Sequence, residues 1–308
     1  MLHIKVPATS ANMGSGFDSI GVALTKYNHI WVEEVEVQEE EFIEVLRPQE
    51  IEIPLGKDNL IYETMVQFFK EKNLKMPNIK MTQEDYIPMV RGMGSSACCI
   101  VGGLLAANAL ANFPCTKVEL AEIAARMEGH PDNVVPAIFG GMVIGVQNEN
   151  DLSYIPVPVP DELVFATMVP EFPMSTHEAR AVLPQTYTRD DIIFSSSRTA
   201  LLTAAMYTKQ FDKLAVAMED VIHQPYRSKL IPNMEEIFEK AKKFGAVGVY
   251  LSGAGSTLMA VVLEENKIMF QKQMEAYLQT LKDHWTLYLL KADPVGATVE
   301  VEEDGGNK

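Results

Sequence analysis

Arg91-Gly92-Met93-Gly94-Ser95-Ser96-Ala97 opens the most apolar stretch of the chain, which runs from Ala97 to Phe113. Glycine lets a backbone turn sharply and approach a ligand closely. A serine at the start of the following helix sits beside free N–H groups and the positive end of the helix dipole, where an anion is favoured. The segment therefore reads as a phosphate cradle. It is not a Walker A loop, because no Gly-Lys-Ser/Thr follows, and it lacks the third glycine of the dinucleotide fingerprint. Taken alone, a tight turn with an ordinary cap accounts for it equally well.

Two further segments weigh against the plain turn. Pro7-Ala8-Thr9-Ser10-Ala11-Asn12-Met13-Gly14-Ser15-Gly16-Phe17-Asp18 follows a predicted strand at His3 to Val6. Leu251-Ser252-Gly253-Ala254-Gly255-Ser256 lies between two more predicted strands. A tight turn rarely needs so many small polar residues, and three such segments in one chain point to converging site loops.

The rest of the sequence bounds what those loops serve. A chain of 308 residues is long for one core and natural for two domains. Hydrophobic residues make up 47%, enough to fill both. The net charge of −16 makes nucleic acid or an anionic membrane an unfavourable partner, so an anionic ligand needs a local positive pocket. Cys98, Cys99 and Cys115 are odd in number and lack metal-ligand spacing, which suits reduced, buried thiols in a cytoplasmic protein. The start of the chain has no basic region leading into an apolar core, so no signal peptide is expected. The Ala97–Phe113 stretch contains Gly102, Gly103, Asn108 and Asn112 and falls short of the roughly 20 residues of a membrane span, so a buried helix is expected.

Along the first half, His29 to Val37 reads as a strand. Asp58 to Lys72 reads as an amphipathic helix capped by Asp58 or Asn59. Ser95 or Ser96 is expected to cap the apolar helix, and Thr116 with Glu119 makes a capping box for a helix ending near Gly129. In the second half, Leu163–Met168 reads as a strand, and helices follow from Ser175 to about Lys243. Strands at Val247–Leu251 and Thr257–Leu263, a helix at Glu264–Lys282 and a strand at Trp285–Leu290 complete a ferredoxin-like order. The boundary is placed between Gln147 and Asp161, dividing the chain into domains 1–155 and 156–308. The polar end, Glu302 to Lys308, reads as frayed.

The three loops, in this order, resemble the three signature motifs of the GHMP kinase family, and the likeness runs from Lys5 to about Ala260. Met93 replaces the family's usual Leu, a volume-conserving change. The resemblance implies an α+β fold, with an N-terminal α/β domain containing a left-handed βαβ crossover and a ferredoxin-like C-terminal domain. It also implies that Arg91 to Ala97 wrap the phosphates of ATP, that Ser96 and Glu122 hold Mg²⁺, and that Asn59 and Tyr62 contact the adenine. Thr9 to Asp18 and His130-Pro131-Asp132-Asn133-Val134-Val135-Pro136-Ala137, with Gly140-Gly141 beyond, are most similar to the branch that phosphorylates L-homoserine in threonine biosynthesis.

That substrate is a zwitterion with a primary hydroxyl. The resemblance gives Asp18 to its ammonium, Arg180 and Arg227 to its carboxylate, and Asn12, His130 and Gly253 to its surroundings. Asn133 is expected to orient the hydroxyl, while which of Asp132 and Asn133 faces it stays open. The bland alternatives are a turn carboxylate for Asp18, surface ion pairs for the arginines, cap and core roles for Asn59 and Tyr62, and, for Glu122, a solvated helix face shared with Glu119 and Arg126. Another GHMP kinase of mevalonate type, or a non-catalytic binding protein of the same fold, is the rival reading. A homodimer is compatible with all of them.

Overall fold

The computed structural model describes residues 1–47, 51–148 and 151–301. Its first half contains β1 (Leu2–Ala11), β2 (Ile20–Glu34), β3 (Ile43–Val45), α1 (Leu60–Glu71), β4 (Ile79–Glu84), α2 (Ser95–Leu110), α3 (Lys117–Glu128), α4 (Pro131–Phe139), β5 (Met142–Gln147) and β6 (Leu152–Val157). Its second half contains β7 (Leu163–Pro170), α5 (Thr176–Ala181), α6 (Arg189–Thr208), α7 (Leu214–Ala217), α8 (Gln224–Arg227), α9 (Met234–Lys243), β8 (Ala246–Leu251), β9 (Leu258–Leu263), α10 (Lys267–Leu278), β10 (Trp285–Leu290) and β11 (Thr298–Val301).

Local chemistry accounts for most of these ends. Asn59, not Asp58, caps α1, its side chain accepting from the Ile61 N–H. Ile61, Thr64, Met65, Phe68 and Phe69 then form the buried stripe that helical spacing produces. The Thr116–Glu119 capping box forms at α3, and a second one, Ser175–Glu178, starts α5. The apolar run is helix α2, buried along most of its length from Ala97 to Asn108. Among the described residues no helix is long and apolar enough to cross a membrane.

The first sheet has the order β11-β1-β2-β4-β3, with β5 pairing β2 and β6 at its side. β3 and β4 run parallel, joined through α1. The second sheet is antiparallel with the order β10-β7-β9-β8, the ferredoxin-like arrangement. Alternation along its strands serves two cores. Phe165, Val169, Met259 and Val261 face the core shared with the first sheet and its helices. Ala166, Met168, Leu258, Ala260 and Val262 face Ile237, Phe270 and Met274 of α9 and α10.

Three sequence expectations change. β2 begins at Ile20 and ends at Glu34, because the antiparallel pairing of Ser10 with Val22 and of Ala11 with Gly21 carries it back into the first loop. The stretch around residue 155, expected as a boundary, is mostly the β5–β6 hairpin; Pro156 is tolerated because β6 is an edge strand. β11 leaves the second half and pairs with β1, Leu2 opposite Val301, so the first sheet takes in chain from both ends and a single cut at 155 does not separate the two sheets. Glu302 to Lys308 lie outside the described residues.

Candidate active site

The three loops meet. The Thr9 N–H donates to the Met93 carbonyl at 3.2 Å, the Gly253 N–H to Ala11 at 3.1 Å and the Thr257 N–H to Arg91 at 3.0 Å. Ser10 Oγ lies 2.7 Å from Ser252 Oγ, which in turn reaches the Gly92 carbonyl. Beside this junction runs a cleft of about 430 Å³. Asn12, Asp18, Asn59, Gly92, Gly94, Ser95, Ser96, His130, Asp132, Asn133, Arg180, Arg227 and Gly253 all line it.

At one end stands the start of α2. The N-cap is Gly94, in left-handed backbone with φ 69°, and no side chain caps the helix. Ser95 and Ser96 are its first two residues rather than its cap, so the initial N–H groups, which have no intrahelical partner, remain available to an anion at the cleft wall. A Cβ on Gly94 would sit 2.0 Å from Thr9 Oγ1, and one on Gly92 2.3 Å from the Ser252 carbonyl oxygen. The loop glycines are therefore required by the packing of the loops on each other, before any ligand arrives.

Not every residue of the loop faces the cleft. The buried Arg91 guanidinium fastens the loop to the second sheet: Nε donates to the Pro170 carbonyl at 2.9 Å, Nη1 to Met89 at 2.9 Å and Nη2 to Glu171. Met93 and Ala97 are core residues, 1% and 0% exposed. The side chains of these three thus support the loop from behind, and any contact of theirs with a nucleotide would be through the backbone. Tyr62 likewise packs on Phe42, ring centroids 4.7 Å apart, and is absent from the cleft wall. Asn59 lines the cleft with its amide engaged, donating to Pro54 O and Gln83 Oε1, both at 3.0 Å.

The carboxylate beside Ser96 is Glu128, not Glu122. Ser96 Oγ donates to Glu128 Oε2 at 3.1 Å, and both line the cleft. Glu122 stands with Arg126, Gln147 and Asp151 at a separate small depression. Its six-residue offset from Glu128 on a helix of 3.6 residues per turn puts the two on different faces. Burial pushes the Glu128 carboxyl up, the Asp132 charge adds to this, and His130 and the Ser96 hydroxyl oppose it. A hydroxyl and a carboxylate beside a phosphate cradle are the hard oxygen donors that suit Mg²⁺. The signal for Glu128 in the sequence was its place directly before Gly129-His130-Pro131.

Between the ends lie His130, Asp132 and Asn133 at the start of α4. Asn133 Oδ1 accepts from Thr9 Oγ1 at 2.8 Å, and its Nδ2 donates to Asp132 Oδ1 at 3.3 Å. Asp132 Oδ1 also accepts from His130 Nδ1 at 2.5 Å. Burial works to lower the His130 pKa, but the Asp132 hydrogen bond and the charges of Asp132, Asp18 and Glu128 together hold it above the ordinary value.

At the far end Asp18 and Arg180 form a two-pronged pair, Nη2 to Oδ1 at 2.9 Å and Nη1 to Oδ2 at 3.1 Å. Arg227, 2% exposed, donates to Ala179 O at 3.0 Å through Nε and to Gly253 O at 2.9 Å through Nη1. Burial, reinforced by Arg180, lowers its pKa to about 10. The buried His223 donates from Nε2 to Gly14 O at 3.0 Å, which leaves Nδ1 to accept from Arg227 Nη1 at 3.2 Å. Asn12 bridges first and third loops, donating to Gly253 O at 2.9 Å while its Oδ1 accepts from the Asp18 N–H at 3.0 Å. Thr9 stood in the sequence only as part of the first loop motif, with no role of its own, and His223 carried no distinguishing signal; their contacts mark both.

The model described as GHMP kinases N terminal domain matches residues 59–141, and GHMP kinases C terminal matches residues 202–277. The chain belongs to the GHMP kinase family. Within this family it is 44% identical to a homoserine kinase of Clostridium novyi (strain NT), over 97% of this chain and 99% of that one. It is 43% identical to a homoserine kinase of Clostridium acetobutylicum, over 97% and 100%. The crystal structure of a homoserine kinase from Cytophaga hutchinsonii superposes with a TM-score of 0.87 over 97% of each chain at 23% identity, showing the same GHMP kinase fold.

Proposed function

We infer that the protein is a homoserine kinase: it transfers the γ-phosphoryl group of ATP to the side-chain hydroxyl of L-homoserine, giving O-phospho-L-homoserine and ADP for threonine biosynthesis. The observation that carries this reading is one cleft with an uncapped helix N-terminus at one end, paired acid and arginines at the other, and Asn133 between them. The near-complete overlap with homoserine kinases of over 40% identity supports it.

In this reading the triphosphate lies against the N–H groups at the start of α2, and Ser96 with Glu128 would hold Mg²⁺. The cation supplies neutralisation of charge between the phosphates as the bond breaks. Asp18 takes the substrate ammonium, and Arg180 and Arg227 take the carboxylate, because a guanidinium presents a planar fork to it. Asn133, held through Oδ1 by Thr9 and through one Nδ2 hydrogen by Asp132, has its second Nδ2 hydrogen for the hydroxyl oxygen and orients it. An amide is too weak a base to take the proton. Phosphoryl transfer tolerates this, since its transition state is loose and catalysis comes mainly from positioning and charge stabilisation. The hydroxyl oxygen forms the new bond to phosphorus, the bond to the β–γ bridging oxygen breaks, and the proton leaves to solvent.

The test is an ADP-release assay over L-homoserine, mevalonate and galactose with Mg·ATP. Turnover of homoserine well above the other two is expected. Preference for an alcohol without an amino-acid head group would overturn the substrate assignment and leave the kinase family standing.

A further inference from the structure

Four successive carbonyls of the glycine-rich loop are turned into the protein. The Arg91 carbonyl accepts from the Thr257 N–H at 3.0 Å, Met93 from Thr9 at 3.2 Å and Gly94 from Cys98 at 2.8 Å. The Gly92 carbonyl accepts from Ser252 Oγ at 2.5 Å. Three of these four partners are main-chain N–H groups, and the fourth is a side-chain hydroxyl. A trans peptide points its N–H opposite to its C=O. Holding the carbonyls on these partners therefore turns the N–H groups that follow them the other way. An anion site requires this, since a carbonyl turned toward a phosphate meets it with the wrong end of its dipole.

Gly92 is the point where the arrangement is easiest to lose. It has φ 74°, and glycine moves between backbone regions with little steric penalty, so its own residue does little to fix the Gly92–Met93 peptide plane. What opposes a turn of that plane is the Ser252 hydroxyl.

Ser252 is held in its turn. Ser10 Oγ lies 2.7 Å from Ser252 Oγ and 3.1 Å from the Tyr250 hydroxyl. All three side chains are buried, and burial raises the Tyr250 pKa, so its hydroxyl keeps its proton. Each hydroxyl has one hydrogen to give. A carbonyl only accepts, so Ser252 spends its hydrogen on Gly92. Ser10 must then donate to Ser252, and Tyr250 to Ser10. The chain runs one way, from β8 through β1 to the third loop and on to the glycine-rich loop, and every hydrogen in it is used. Members of such a chain polarise and strengthen one another. Tyr250 itself is not among the residues that line the cleft.

We propose that the Tyr250–Ser10–Ser252 hydroxyl chain locks the Gly92–Met93 peptide in the orientation that receives an anion, which makes Tyr250 a positioning residue for the nucleotide. The proposal rests on the placement of the triphosphate at the start of α2 in the reading above.

The experiment measures ATP affinity by calorimetry for wild type, Ser252→Ala, Tyr250→Phe and the double variant. Thr167→Val is the control, because Thr167 is another buried hydroxyl of the second sheet, donating to the Phe165 carbonyl at 3.3 Å. Ser252→Ala should weaken ATP binding by about three- to tenfold, the size of one hydrogen bond. Tyr250→Phe should weaken it by about two- to fivefold, since it removes the support and leaves the last link. The double variant should match Ser252→Ala, because a chain once cut at its end has nothing left to transmit. In Tyr250→Phe the KM for homoserine at saturating ATP should stay at the wild-type value, and in Thr167→Val the ATP affinity should do so. Circular dichroism checks folding, and Ser10→Ala replaces Tyr250→Phe if the latter does not fold. If either single variant binds ATP as tightly as wild type, if the two effects add in the double variant, or if Thr167→Val loses as much, the chain is plain core structure and the proposal fails while the homoserine reading stands. If wild type itself binds no ATP, the reading beneath it fails.

Discussion

The two ends of the cleft are built in opposite ways. The end proposed for the phosphates is made of backbone: the start of α2, a left-handed Gly94 and neighbouring loops within Cβ distance. The substrate end is made of side chains, Asp18, Arg180 and Arg227, brought from three distant segments. Backbone recognition is contiguous in sequence and tolerates little change at its glycines. Side-chain recognition is dispersed, and its members differ in how firmly they are held. Six substitutions, in four experiments, test this contrast.

The largest effect is expected at the backbone end. In Gly94→Val the new Cβ would overlap Thr9 Oγ1 and the residue would be forced into left-handed backbone, which β-branched residues avoid. ATP binding measured by calorimetry should be lost, on the order of a hundredfold or more in affinity for about 3 kcal/mol. Retained affinity would mean that the triphosphate lies elsewhere, and circular dichroism on the same sample guards against simple unfolding.

Next comes the acid beside Ser96, the proposed partner of Mg²⁺. Glu128→Gln should reduce kcat by about a hundredfold, since a charge partner of the nucleotide's cation is removed, while Glu122→Gln should match wild type. A Mg²⁺ titration of turnover for both variants decides it. Equal activity of the two would return Glu128 to the status of a hydrogen-bonded rim residue.

The two arginines should then separate. Arg227→Leu takes a donor from the Ala179 carbonyl and from the ring of His223 and leaves Gly253 O to Asn12, so it should cost about 3 kcal/mol of stability as well as affinity for homoserine. On a chain of this size that lowers the melting temperature by several degrees, about 4–5 °C. Arg180→Leu should raise KM for homoserine by about ten- to a hundredfold with a nearly unchanged melt, because among the described residues its hydrogen-bonded side-chain partner is the partly exposed Asp18. Equal melting temperatures for the two variants would contradict the distinction between a fixed and a releasable charge. Neither should move KM for ATP.

The smallest effect belongs to the residue that joins the two ends. Thr9→Val removes the hydroxyl that holds Asn133 Oδ1 and should lower kcat by about tenfold, roughly the worth of one hydrogen bond, with little change in either KM. A change confined to KM would place Asn133 in binding rather than in orientation of the hydroxyl.

What could be known from sequence divides along the same line. Helices and their starts were legible because caps and spacing are local: Asn59, the Thr116–Glu119 box and the stripe on α1 sit within a few residues of what they govern. The three loops were legible for the same reason, since a phosphate cradle is a contiguous run of backbone. The sequence reading paired Ser96 with Glu122 and not with Glu128, because both acids stand on one acidic helix and only the packing of α3 beside α2 decides which carboxylate reaches Ser96. β11 was missed because a short strand becomes one only when it finds an edge, here β1, nearly three hundred residues earlier. By itself the sequence determined the starts of α1 and α3, the order of the second sheet and the place of the glycine-rich loop before α2, all set by interactions between near neighbours. Tertiary structure alone decided that Arg91 fastens the loop, that Glu128 faces the cradle, and that Asp18 and Arg180 neutralise each other. Those outcomes depend on distances between segments far apart in the chain, which no local preference encodes.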